Sequence, residues 1–414
     1  MSEKDCTTKL RQDANQIIET AIAAVQPDAA VQRALAEKTF SGKIVLIAAG
    51  KAAWQMAKAA SDVLGERIDR GVVVTKYEHV KGEILHCTCY EAGHPVPDEN
   101  SFRGTQAAID AVANLTKDDT VLFLISGGGS ALFEKPLVSG DELQDITGQL
   151  LASGADIVEM NTIRKRLSAV KGGRFAKLCA PAKVFSIVLS DILGDPLDMI
   201  ASGPACPDSS TCEEAESIAK KYKLNLSENA QSLLHQETPK QLDNVETQIN
   251  GSVRELCEAA AVSCRALGYE PILLTDQLCC QAREAGSFLA SICKTHGGKG
   301  KKYAFLAGGE TIVKLTGKGK GGRNQEIALA AAEGIAGLDA AVFSVGSDGT
   351  DGPTDAAGGY VDGHSAALLK EKGYNIGEVL QENDAYHALQ AVDGLIITGP
   401  TGTNVNDVAV VLLQ

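Results

Sequence analysis

The sequence predicts an α/β protein: two three-layer α/β/α domains with largely parallel sheets. Three observations predict it. Short apolar runs alternate with segments of helical composition, the pattern of parallel strands covered by helices on both faces. That alternation breaks off over the polar stretch QETPKQLDNVETQIN (236–250) and resumes beyond it. The length, 414 residues, suits two or three domains at about 150 residues each.

The elements follow in order. The opening segment to Pro27 reads as helix, because Ala14, Ile18, Ala21 and Val25 recur at three-to-four spacing. KIVLIAAG (43–50) reads as a strand leading into the helical KAAWQMAKAASDVLG. GVVVTK (71–76), TVLFLIS (120–126) and SIVLSD (186–191) are further buried strands. Residues 155–174 read as one helix with two faces. Met160, Ile163, Leu167 and Val170 form its apolar stripe, and Asn161, Arg164, Lys165 and Ser168 lie largely opposite, with Lys171 and Arg174 at its end. Such a basic face on its own is usually a solvated one; near the other cations it would steer an acidic substrate into the crevice. Residues 236–250 read as a linker, which sets the domains at 1–240 and 250–414. Beyond it, helices are expected at SVRELCEAAAVSCRALG, REAGSFLASICKTHG and NQEIALAAAEGIAG, and strands at PILLTD, YAFLAGGE, TIVKLTG, AAVFSVGSDG, LIITGP and VAVVLL. Residues 297–302, GGKGKK, read as an exposed turn.

Composition excludes several classes of function. There are 39 Lys and Arg against 53 Asp and Glu, a net charge of −14. Neutralising phosphates along a nucleic acid needs a dominant basic surface, and an anionic membrane needs a basic patch. Aromatic residues are 4% of the chain, too few for base-stacking platforms. No apolar run approaches membrane-spanning length, and MSEKDCTTKL carries no apolar leader core. The 11 cysteines include no C-x-x-C pair, which suits reduced thiols and a cytoplasmic protein.

The 42 glycines collect at the carboxyl ends of the expected strands, where open parallel sheets place their ligand crevice. Glycine-rich turns expose backbone N–H groups and lead into helix N-termini, which together cradle anions. SGGGS, Ser126 to Ser130, is one such turn. A second segment places Gly317, Lys318, Gly319, Lys320, Gly322, Arg323 and Asn324 just before a helix. It matches G-x-G-x-x-G literally, but Asp339 is only loosely placed for the acidic partner of a dinucleotide site. Three clustered cations suit a triphosphate better. No G-x-x-x-x-G-K-[ST] occurs. Asp191 and Asp195 follow a strand, and carboxylates beside a phosphate cradle are what Mg²⁺ takes. Asp348, Asp351 and Asp355 share one glycine-rich loop without the calcium-loop spacing. Ser126 and Ser130 have no evident histidine partner. His94, in EAGHPVPDENS, reads equally well as structural or as lining the crevice. Lys51 and Arg323 each open a helix, where a cation opposes the macrodipole by about 0.3–1 kcal/mol. Such placement points to function over stability.

The chain resembles the glycerate 2-kinases whose C-terminal half is a MOFRL domain, a family also described as hydroxypyruvate reductases. The resemblance covers almost the full length. It rests on GKAAWQMA, EAGHPVPDENS, LISGGGSALFEKP, MNTIRKRLSAVKGGR, VLSDILGDPLDMIASGP, AGGETIVKLTGKGKGGRNQE, SVGSDGTDGPTDAAGG and TGPTGTNVND. It implies two α/β domains with an active site in an interdomain cleft. It also implies transfer of the γ-phosphoryl of ATP to the 2-hydroxyl of D-glycerate, with a divalent metal. In the family the residues matching Lys51 and Arg323 contact the transferring phosphate, and the one matching Asp191 lies in the same cleft. The expected site therefore has Lys51, Arg323 and Asp191 as catalytic residues. Ser126, Gly127, Gly128, Gly129, Ser130, Asn161 and Arg164 would hold the substrate anion. Gly317, Lys318, Gly319, Lys320, Gly322 and Asn324 would hold ATP, and Asp191 and Asp195 would hold Mg²⁺. The alternatives are a nicotinamide-dependent hydroxypyruvate reductase and a non-catalytic sugar-acid sensor. The oligomeric state is left open, a homo-oligomer included.

Overall fold

The structure is a computed structural model that describes residues 3–297 and 300–414. The chain divides into two compact units, Pro27–Asn250 and Met1–Gln26 with Gly251–Gln414. Helix α1 (Glu3–Ala24) comes first in sequence and belongs to the second unit.

The first unit runs α2 (Pro27–Leu35), β1 (Ile44–Ala49), α3 (Ala53–Leu64), β2 (Ile68–Lys76), β3 (Cys87–Ala92), α4 (Glu99–Ala111), β4 (Thr120–Ile125) and α5 (Gly129–Leu132). It continues through α6 (Gly140–Ala152), α7 (Ile157–Arg166), α8 (Arg174–Cys179), β5 (Lys183–Val188), α9 (Cys212–Lys221), α10 (Glu228–Leu234) and β6 (Val245–Ile249). Its six strands lie in the order β3-β2-β1-β4-β5-β6, every pair parallel. Both faces are covered. Ile44, Leu46 and Ala48 pack with Val31, Leu35 and Met56 of α2 and α3. Val45, Ile47 and Phe123 pack on the other face with Phe133 and Phe175. Phe123 and Phe133 stack against Phe175 at ring separations of 4.8 and 5.0 Å. Helices α6, α7, α9 and α10 close over a small core of their own, around Leu150, Ile163 and Leu234. The strand order reverses between β1 and β4, and the carboxyl ends of those strands form the topological switch point.

The second unit adds α11 (Val253–Ala266), β7 (Glu270–Leu278), α12 (Ala282–His296), β8 (Tyr303–Gly309), α13 (Arg323–Ala331) and β9 (Ala340–Gly346). Then come β10 (Gly358–Asp362), α14 (Ser365–Glu371), α15 (Ile376–Gln381), α16 (Ala385–Ala391), β11 (Leu395–Ile396) and β12 (Asp407–Leu413). Its sheet has the order β11-β10-β9-β12-β8-β7. Helices cover both faces, α1 and α11 on one and α12 and α13 on the other.

Four details depart from the expected layout. In the second sheet only β7 and β8 pair in parallel; the final strand β12 inserts between β8 and β9 antiparallel to both, and β10 returns beside β9. The first 26 residues do not join the N-terminal domain. The α1 stripe packs against Leu256, Phe343 and Val410, and its buried Asp13 accepts a hydrogen bond of 2.8 Å from Tyr269. Residues 245–249 of the expected linker form edge strand β6 on β5, where one open edge permits polar side chains. TIVKLTG is no strand, since β7 and β12 already occupy both edges of β8; it makes a single bridge, Ile312 to Gln281. The expected turn at 297–302 falls partly on residues 298 and 299, which lie outside the described residues. Among the described residues no helix is long and apolar enough to cross a membrane.

Candidate active site

In the first unit the candidate site forms at the switch point. Gly50 follows β1 with φ +124°, and a Cβ there would lie 2.2 Å from Ser126 Oγ. Only glycine permits this approach. It lets the Lys51 N–H donate to Gly127 O at 2.9 Å and the Ala52 N–H donate to Ser126 Oγ at 3.0 Å. The buried Thr75 hydroxyl donates to Lys51 O at 3.3 Å. The main chain of Lys51 is thus held from β2 and from the turn after β4, while its side chain is exposed. Among the described residues no carboxylate pairs with its ammonium.

The glycine turn after β4 gathers the other groups. A Cβ on Gly127 would lie 2.2 Å from Asp191 Oδ2. One on Gly128, at φ +83°, would lie 3.0 Å from His94 Nε2 and 3.2 Å from Lys51 Cγ. One on Gly129 would lie 2.7 Å from the Ala201 Cβ. The turn therefore brings Lys51, His94 and Asp191 around a strip of bare backbone. Opposing it are Ala201 and Ser202, left-handed at φ +52° and +61°. Non-glycine residues in that region cost about 1–3 kcal/mol each and persist only where the surroundings enforce them. Here the Ser202 hydroxyl donates to Asn161 Oδ1 at 2.9 Å and lies 3.1 Å from Ser130 Oγ. Asn161 is buried, so it positions Ser130 through Ser202. Arg164 donates to Ser130 O at 3.1 Å. Asp195, at φ +51°, has a buried Oδ1 without a hydrogen-bond partner among the described residues. Burial first, then Lys51 and Lys76, hold the His94 pKa below its ordinary value, which favours the neutral ring.

The helix expected over 155–174 is two helices, and most of its cations are structural. Lys165 pairs with Asp208 at 3.0 Å, and the guanidinium of the fully buried Arg166 donates to Thr162 O at 2.9 Å and to Ser210 Oγ at 3.0 Å. Lys171, also fully buried, donates to Ser130 O at 2.8 Å and Phe133 O at 3.1 Å and pairs with Glu134 at 2.8 Å. Burial lowers its pKa to about 8. Arg174 donates to Ser168 O at 2.6 Å. These groups close the chain reversals behind the turn. Of the expected basic face, Arg164 and Arg174 stay half-buried, Arg174 with its guanidinium on main-chain carbonyls.

The second unit has its own cluster at the start of α13. Arg323 grips Asp407 with two bonds, Nε to Oδ2 at 2.5 Å and a terminal nitrogen to Oδ1 at 3.1 Å. Its remaining nitrogen donates to Glu310 at 2.8 Å. Asp351 occupies the helix N-terminus, accepting from the N–H groups of Asn324 at 3.2 Å and Gln325 at 2.9 Å. Burial raises the Asp351 pKa to about 6 and also raises that of Asp407. The glycines of the preceding loop serve close packing. A Cβ on Gly317 would lie 2.3 Å from the Glu382 main chain, on Gly319 2.4 Å from the Asp384 Cβ, and on Gly322 2.3 Å from Asp351. The Gly317 N–H is taken by Asn383 and the Lys320 N–H by Asp384. The Lys320 ammonium sits 4.0 Å above the Tyr386 ring, and buried Asn324 accepts from Ser344 Oγ at 2.5 Å. Of the clustered cations Lys318, Lys320 and Arg323, Lys318 alone is exposed and unpaired among the described residues.

Sequence reasoning missed Asp407 and Glu310 as partners of Arg323, and Thr75, Lys76 and Ser202 around the glycine turn. Asp407 ends the TGPTGTNVND motif, and a carboxylate at a strand start was the available signal.

The profile of the domain of unknown function DUF4147 matches residues 13–235, and that of the MOFRL family matches residues 303–407. A D-glycerate 2-kinase of Thermotoga maritima is 51% identical over 98% of this chain and 98% of its own. A crystal structure of glycerate kinase from Thermotoga maritima superposes with a TM-score of 0.94 at 50% identity, covering 98% of this chain and 100% of that one. A putative hydroxypyruvate reductase of Agrobacterium vitis is 39% identical over 97% of this chain and 94% of its own.

Proposed function

The chain belongs to the family that joins a DUF4147 domain to a MOFRL domain, and we infer that within it the protein is a glycerate 2-kinase. It transfers the γ-phosphoryl of ATP to the 2-hydroxyl of D-glycerate, giving 2-phosphoglycerate and ADP. The observation that carries the reading is Lys51, an exposed cation whose main chain is pinned at the switch point beside bare glycine backbone. Phosphoryl transfer asks the protein for positioning and for charge placed where the equatorial oxygens will be. Lys51 supplies that charge in the first unit. Arg323 supplies it in the second, its guanidinium plane set by Asp407 and Glu310. The Ser126–Ser130 turn binds the carboxylate of glycerate or a phosphate, with Arg164 behind it. Lys318 reaches ATP from the loop before α13, and Gly317, Gly319, Lys320, Gly322 and Asn324 give that loop its shape.

Mg²⁺ fits the chain on one side. Asp191 lies against Gly127, and Asp195 has the orphaned carboxylate oxygen. Mg²⁺ needs only one or two carboxylates beside phosphate oxygens and water, and these two residues would hold it. When bound it would neutralise charge on the β- and γ-phosphates. We place the protein in the cytoplasm, on the ten unpaired cysteines among the described residues.

The test is phosphorus NMR of the reaction with ATP and D-glycerate. A new resonance that co-migrates with added 2-phosphoglycerate is expected. 3-Phosphoglycerate as the main product, or no phosphoglycerate at all, sinks the reading.

A further inference from the structure

Resting on the kinase reading above, we propose that His94 takes the proton of the acceptor hydroxyl as the phosphoryl group is transferred. His94 stands in the loop after β3, on the same carboxyl edge of the sheet as Lys51 and the glycine turn. Its Nε2 edge borders the space above Gly128, where a Cβ would lie 3.0 Å from the nitrogen. No side chain on Gly128 intervenes. The ring is half-buried, and among the described residues neither of its nitrogens makes a hydrogen bond. A half-buried imidazole without a partner, facing backbone that suits an anion, is available to a ligand. If the glycerate carboxylate lies on the turn, the 2-hydroxyl on the next carbon is within reach of Nε2.

The charges around the ring support a neutral proton acceptor. Lys51 and Lys76 face it and disfavour the imidazolium. Asp98 lies beside Gly93, but its carboxylate is engaged by the Ser101 N–H at 3.0 Å and the Tyr77 hydroxyl at 2.7 Å. Asp191 lies at the neighbouring glycine and is assigned to the metal. In the step the hydroxyl proton passes to His94 Nε2. The oxygen's electron pair forms the new bond to γ-phosphorus. The bond from γ-phosphorus to the bridging oxygen breaks, and its pair leaves with ADP. The proton then passes to water.

The experiment compares wild type, His94→Ala, His94→Gln and Lys51→Ala under saturating Mg-ATP, with and without added imidazole. Both His94 variants should lose about 10²-fold or more in kcat, the range for a lost general base, at unchanged KM for ATP and unchanged Tm. Imidazole should restore turnover of His94→Ala and leave Lys51→Ala unaffected. Turnover of His94→Gln within about threefold of wild type overturns the assignment, and so does a folded His94→Ala that imidazole does not rescue. If His94→Ala does not fold, the near-isosteric His94→Gln decides by its kcat. A wild type that makes no phosphoglycerate overturns the kinase reading and this step with it; an active wild type beside an active His94→Gln overturns this step alone.

Discussion

Lys51 makes no ion pair among the described residues, whereas Arg323 pairs with two carboxylates. The difference decides what each substitution does. Removing Lys51 takes a cation from the start of α3 and leaves no buried group unpaired. Lys51→Ala should therefore lower kcat by about 10²-fold or more, the range for a lost electrostatic donor, while Tm stays level or rises slightly. Arg323→Ala should cost a similar factor in kcat and also lower Tm. It strands the buried Asp407 carboxylate, at about 1–3 kcal/mol. Steady-state kinetics beside calorimetry on both variants checks this. An Arg323→Ala protein as stable as wild type would show that the Asp407 pair contributes nothing to the fold. The local placement of both cations at helix starts was legible in sequence, because it depends on a strand, a glycine and a helix in succession. The partner of Arg323 was not, because it lies 84 residues away and only strand insertion brings it close.

The N-terminus of α13 shows the same limit at the scale of an element. A glycine-rich loop leading into a helix is expected to leave N–H groups for a phosphate. Here the carboxylate of Asp351 fills that place, and the loop glycines fit against residues 382–385. The internal cap carries its own signature. Its folded pKa of about 6 stands above the ordinary 3.8, so the folded state binds the proton more tightly than the unfolded chain. The stabilisation this gives is full below the unfolded value and is lost as pH rises through the folded one. Wild type should accordingly lose stability relative to Asp351→Asn between about pH 4 and 6, by on the order of 3 kcal/mol. Urea unfolding of both proteins across that window measures it, and a constant gap would place the Asp351 titration elsewhere. Elements with a strong period, such as α11 and α12, were readable because one face must be apolar. Edge strand β6 was not, since its exposed edge removes the apolar signal. TIVKLTG misled because alternation describes a side-chain pattern and says nothing of whether a neighbouring strand has a free edge.

For the whole molecule, the alternation of strands and helices disclosed the α/β class and the two-unit organisation, because burying a sheet on both faces imposes it. The pairing of α1 with the second unit was hidden, since an apolar stripe does not name the face it will cover. The net charge of −14 would repel ATP and glycerate unless cations gather where they bind, as Lys51, Lys76 and Arg164 do around the glycine turn. The first sheet also has the strand order of dinucleotide-binding folds, which keeps a nicotinamide-dependent reductase in view beside the kinase. The first βα turn separates them. A dinucleotide fingerprint needs three glycines there, and this turn reads Gly50-Lys51-Ala52, with one glycine and a cation. Thermal unfolding with ligand turns that difference into a measurement. A ligand that binds only the folded protein stabilises it by about 2.7 kcal/mol at a hundred times its Kd. At roughly 2–4 °C per kcal/mol for units of this size, saturating Mg-ATP should raise Tm by about 5–10 °C. NADH and NADPH at the same concentration should leave it unchanged, and Lys51→Ala should reduce the ATP shift without lowering the ligand-free Tm. Protection by NADH and none by ATP would transfer the activity to the reductase reading.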